Sequence, residues 1–214
     1  MDRNSIPNLQ IRKSKYNKRT FYDGSVFVEL PYWLGYRGNY ECTEVIKDGK
    51  FCLGIENSSK EEGDGFSTNQ GQVNAYFYLM ENHKHLKAQI IQSLKDTLPN
   101  MLLNEYSSFD TTDFPKVPDL TPEFDFRDFI GPSSINIEAD VKDNIAYVSW
   151  NFYCLWDTEH GFDIITHKDR IIEISPQSDK FIIHEDNGTA EEVKRSLDEH
   201  LIKVNKKRKW WKFW

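Results

Sequence analysis

Asp157, Glu159 and His160 crowd into the five-residue turn Asp157-Thr158-Glu159-His160-Gly161, where ionisable side chains are densest relative to the strands around them. Two carboxylates and an imidazole could ligate a divalent cation, with Cys154 or His167 nearby in the chain. Glu159 and His160 would then be the acid–base pair of a metal-assisted hydrolase. Two other readings compete. Asp and Gly also supply turn geometry, with Glu and His solvated or bonded to the backbone. Alternatively Glu159 and His160 bend inward, into a hydrogen-bond network against Trp150 and Trp156. The spacing weighs against the metal: the chain has no CxxC, HxH or HExxH, and the turn lies beyond the strand that carries Cys154. No metal and no cofactor are therefore expected.

The elements that hold this turn read clearly. From Ala146 to Trp156 every second residue is apolar (Ala146, Val148, Trp150, Phe152, Cys154, Trp156), which places that set on one strand face. Phe162 to Thr166 resumes as a strand, so Ile145 to Ser175 forms a long hairpin with a charged tip, continued by Arg170 to Ile174. Upstream, Val26 to Leu30 is a strand stopped by Pro31, and Asp48-Gly49 signals a hairpin between Tyr40–Ile46 and Lys50–Glu56. Trp33 to Tyr40 reads as a connector. An apolar stripe (Val73, Phe77, Met80, Leu86, Ile90, Leu94, Leu98) after a cap at Thr68 or Asn69 predicts one long helix over about 69–98, ended or restarted at Pro99. Residues 107–133 form a proline-rich connector, and Ile135 opens a further strand. Asn187-Gly188-Thr189 caps a last helix, about 190–204. Strands and helices segregate, so the fold class is α+β with a mainly antiparallel sheet in a single domain over 21–204.

Charge divides the chain. Of a net −7, residues 1–20 hold +5 and residues 203–214 hold +6, which leaves −18 for the residues between. The acidic middle repels phosphate backbones and excludes nucleic-acid binding by the main domain; it suits a basic protein partner. Residues 1–20 read as a flexible basic arm. The tail 205–214 interleaves Lys and Arg with Trp210, Trp211 and Trp214, a pattern able to touch an anionic membrane, to stack on bases, or to dock in a groove. Three cysteines, odd in number, fit reduced thiols in the cytoplasm. His83 and His85 lie two apart on the predicted helix and do not share a face. His167-Lys168-Asp169-Arg170 reads as a solvated turn. Neither a P-loop, a GxGxxG nor a GxSxG is present.

From Phe152 through Ile174 the chain resembles a family of uncharacterised bacterial proteins. They share a C-x-W-D-x-E-H-G hairpin and a following Lys-Asp-Arg strand, here Cys154, Trp156, Asp157, Glu159, His160, Gly161 and Lys168-Asp169-Arg170. Tyr22-Asp23-Gly24-Ser25 and the Phe124 to Ile137 segment look similar too. Leu155 intervenes between Cys154 and Trp156, and Phe162-Asp163 stands where a smaller pair is commoner. The resemblance implies a bacterial cytoplasmic protein and carries no activity. The leading expectation is a non-enzymatic binding protein, immunity-like or accessory, with Trp156, Asp157, Glu159, His160, Trp210, Trp211 and Trp214 as candidate contacts. The alternatives are the hydrolase centred on Glu159 and His160, and membrane association through the tail.

Overall fold

The computed structural model describes residues 3–16, 19–38, 44–59, 65–104 and 124–199. Residues Met1–Ser178 form one compact unit and Asp179–Trp214 a second. The first is built on a seven-stranded sheet in chain order: β1 (Gln10–Tyr16), β2 (Arg19–Glu29), β3 (Lys50–Ile55), β4 (Ile130–Lys142), β5 (Ile145–Cys154), β6 (Phe162–His167) and β7 (Arg170–Ser175). Every neighbouring pair is antiparallel except β3 and β4, which run parallel. A parallel pair needs a long crossover, and that crossover contains the helix α1 (Gln70–Asn104). The fold is α+β with a mainly antiparallel sheet, as the segregation of elements implied.

Alternation decides which face is covered. Val26, Val28, Leu53, Ile55, Ile135, Ile137, Val148, Trp150, Phe152, Phe162 and Ile164 are buried on one face. Val73, Phe77, Leu86, Ile90, Leu94 and Leu98 of α1 join the same core. The predicted stripe of α1 is thus its inner face, with Leu79 buried and Met80 only half-buried. A reciprocal capping box starts the helix. Asn69 Oδ1 accepts from the Gln72 amide at 2.9 Å, while Gln72 Oε1 accepts from the Asn69 amide at 3.0 Å. Asn69 Nδ2 also donates to Ala139 O at 2.8 Å, tying the helix start to β4.

Several local readings give way to longer-range pairing. The helix does not stop at about 98: it carries Pro99 within it and runs to Asn104. A proline forfeits one hydrogen bond to the carbonyl four residues back, and buried Leu98 and Met101 on either side anchor the last turns. The Asp48-Gly49 turn forms, with Asp48 Oδ1 accepting from Lys50 N at 3.0 Å and Gly49 at φ +62°. Its second strand, however, pairs with β2 instead of with the residues before the turn. The basic arm contains β1, paired with β2 from Gln10↔Ser25 to Tyr16↔Arg19. Phe181–Asn187 is the helix α2, closed by Gly188 at φ +75°. The last predicted helix, α3, is helical over 190–199, and its remaining residues lie outside the described ones. So does the tail with Trp210, Trp211 and Trp214. Among the described residues no helix is long and apolar enough to cross a membrane.

Candidate functional site

The hairpin carries its tip on a dry support. Trp150, Cys154, Trp156 and Phe162 are wholly buried. Phe152 and Phe162, cross-strand partners, stack 4.9 Å apart at 7°, and Trp156 stacks on Phe162 at 5.5 Å. Trp150 Nε1 donates to Thr166 Oγ1 at 3.2 Å, and that hydroxyl donates to Val148 O at 3.2 Å. Trp150 and Trp156 therefore fill a core and line no cleft. Trp156, a candidate contact, has no exposed surface.

At the tip, Asp157 organises the turn. Its side chain is only 12% exposed and its Oδ1 accepts from the His160 amide at 2.9 Å and sits 3.2 Å from His160 Nδ1. Its carbonyl accepts from the Gly161 amide at 3.0 Å and from Cys154 Sγ at 3.4 Å. Leu155 N donates to Phe129 O at 2.9 Å, which fastens the strand end to the segment before β4. His160 is 70% exposed and Glu159 is exposed. The inward-bending arrangement of Glu159 and His160 is thus not adopted. The structure joins Asp157 to His160 and leaves Glu159 apart from both. Among the described residues no three His, Cys, Asp or Glu side chains are grouped to hold a metal ion.

His167, read as part of a solvated turn, is buried. Its Nε2 lies 2.9 Å from Lys142 O and 3.2 Å from Ile145 O, so it carries the proton and donates to these carbonyls. Its ring packs on Tyr147 at 4.8 Å. His167 closes the β4–β5 turn from the neighbouring strand, and only Lys168-Asp169 forms the turn that follows.

Perturbed titratable groups gather elsewhere, where the short 3-10 turn Pro31–Trp33 and the residues after it cross α1. Tyr32 packs on the His83 ring at 5.0 Å with Lys84 Nζ 5.6 Å from its centroid. Lys87 Nζ lies 4.7 Å from the Tyr36 ring and 6.0 Å from the Trp33 ring. Burial, with help from the Asp125 carboxylate and against the Arg127 guanidinium, pushes the Tyr36 phenol up to about 12. Burial and then Arg127 lower the Lys87 ammonium, partly offset by Asp125. Burial alone lowers His83. Groups shifted by burial and brought together in this way mark functional sites more often than tips of hydrated turns do. The sequence held no spacing that could find this corner, because its residues come from three separate segments.

A concavity of about 330 Å³ lies between α1 and the β4–β5 turn, lined by Arg3, Asn74, Phe77, Tyr78, Glu81 and Asn144 among others. Arg3 crosses it, paired with Glu81 and lying over the Phe77 ring at 5.5 Å.

A family model, Domain of unknown function (DUF6985), matches residues 23–182. The chain belongs to this family. The DUF6985 match begins inside β2, spans β3 through β7 with α1, and ends just inside α2, so it takes in both the hairpin tip and the aromatic corner. No curated protein matches the chain. No solved structure matches it either.

Proposed function

We propose that the protein is a non-enzymatic binding protein that meets a protein partner through its N-terminal strands and the turn that follows them. One observation carries this reading. Among the described residues, the exposed large hydrophobic side chains of the first unit, Ile11, Phe21, Phe27, Tyr32, Leu34 and Val45, all lie between residues 11 and 45. Phe21 and Phe27 are 45% and 69% exposed on the outward face of β2, and Phe27 stands opposite exposed Cys52 of β3. Large apolar side chains left in water at one end of a sheet mark a contact surface. The −18 of the middle of the chain would attract a basic partner to the protein as a whole, in the manner of an immunity-like or accessory protein.

The hydrolase reading has less behind it. Catalysis by Glu159 and His160 needs converging, partly desolvated groups, and both are exposed at a turn that Asp157 closes. The test is capture of a partner from native lysate at low salt by the full chain and by a Phe21→Ser/Phe27→Ser variant. A protein held by the parent, lost at high salt and lost by the variant supports the reading. Equal capture by both, or none by either, overturns it.

A further inference from the structure

The corner where residues 31–36 cross α1 combines cations, aromatic walls and unfilled hydrogen-bonding capacity. Lys84 and Lys87 stand one turn apart on the same side of α1, and His83 is one turn before Lys87. Among the described residues neither lysine makes an ion pair with a carboxylate. Lys84 lies over the face of Tyr32, and Lys87 over those of Trp33 and Tyr36. Asp125, the acid that acts on Lys87, is engaged by Arg127, whose Nε lies 2.9 Å from its Oδ2 and whose amide donates to its Oδ1 at 3.0 Å, and Glu81, one turn before Lys84, is paired with Arg3. Positive charge therefore exceeds negative here, in a protein whose middle is strongly acidic. Among the described residues, His83 Nδ1 and Trp33 Nε1, both buried atoms, have no hydrogen-bond partner. Buried polar atoms are normally satisfied.

We propose that this corner binds a small phosphate-bearing molecule, with the phosphate between Lys84 and Lys87 and the Tyr32 ring beside it. Lysine serves phosphate as a mobile point charge, and a phosphate carrying close to two negative charges matches two ammonium groups lacking carboxylates. The acidic surroundings select a small ligand over a polyanion, because every additional phosphate of a nucleic acid would meet the −18 of the chain. Lys87 adds a signature. Since burial holds its ammonium below the ordinary lysine range, an anion seated beside it favours the charged form and draws a proton on.

The test is calorimetric titration of the full chain with phenyl phosphate and with inorganic phosphate, at constant ionic strength, in two buffers of different ionisation enthalpy. The expected result is saturable one-site binding, proton uptake that grows as the pH rises from 8 to 9.5, and at least tenfold weaker binding in Lys84→Met and Lys87→Met. Lys194→Met, in the second unit, keeps the parent affinity. Lys84 is exposed, so its replacement leaves the fold intact and remains decisive if the Lys87 variant fails to fold. Tighter binding of phenyl phosphate than of inorganic phosphate assigns the ring to Tyr32. Heats indistinguishable from those of chloride, or affinity unchanged in Lys84→Met, overturn the proposal and leave the corner as cation–π packing between a turn and a helix.

Discussion

If the tip is a closing device, its glycine matters more than its histidine. Gly161 sits at φ +72°, and a Cβ there would stand 2.0 Å from Phe152 O. The left-handed backbone alone costs a residue with a Cβ about 1–2 kcal/mol. The carbonyl clash cannot be relieved by a rotamer, because the obstacle is backbone in the last pair of the hairpin, Phe152↔Phe162. Moving it separates two stacked, buried rings, an overpacking cost of about 1–3 kcal/mol. Gly161→Ala should therefore lose roughly 2–5 kcal/mol in total. Asp157→Ala removes the acceptor of the His160 amide and should cost about 1 kcal/mol. His160→Ala removes a ring that is 70% exposed and should cost less than about 0.5 kcal/mol. The assay is urea unfolding followed by tryptophan fluorescence, with thermal unfolding beside it; a chain this long shifts about 2–4 °C per kcal/mol. A Gly161→Ala midpoint within about 1 kcal/mol of the parent, or a His160→Ala loss as large as that of Asp157→Ala, would refute the reasoning.

Two further perturbations probe the core and the helix start. With its phenol raised to about 12 in the fold against 10.0 unfolded, Tyr36 favours the protonated native state. The stability it contributes is complete below pH 10 and is lost as the pH climbs through 12. Tyr36→Phe should therefore spare about 1 kcal/mol at pH 11 and nothing at pH 8, read as the change in urea midpoint between the two pH values. Asn69→Ala removes the acceptor of the Gln72 amide and the bond to Ala139 O, while the residue 69 amide can still donate to Gln72 Oε1, and should cost about 1–2 kcal/mol. Asn69→Asp keeps the cap acceptor and should fall between, as judged by the same unfolding curves.

What the sequence disclosed followed from how local each signal was. The period-2 run from Ala146 to Trp156 named the buried face of β5 residue by residue, since alternation is a property of the strand itself. The stripe of α1 did the same at helical spacing. Strand partners are another matter. Asp48-Gly49 makes its turn wherever the chain goes next, but β3 inserts between β2 and β4, and only the whole sheet decides that. β1 hides because Arg12, Lys13 and Lys15 stand at a sheet edge, where charge is the usual protection against edge pairing and erases apolar alternation. His167 reads as a solvated polar residue until the carbonyls of Lys142 and Ile145 arrive from the preceding turn to accept hydrogen bonds from its ring.

The same distinction bears on where chemistry or recognition can reside. Residue type drew notice to Asp157, Glu159 and His160, yet Asp157 is spent on closing the turn and Glu159 and His160 stand exposed at its tip. Residue type gave no weight to Tyr36 or Lys87, which come from a connector and from a helix. Folding brings the connector onto α1, removes water from a phenol and an ammonium together, and sets Arg127 and Asp125 against them. Desolvation is what turns an ordinary lysine into one that responds to a ligand. It is also something that tertiary packing alone supplies. Mutations at the tip should consequently report on the stability of the hairpin, and mutations at the corner on binding.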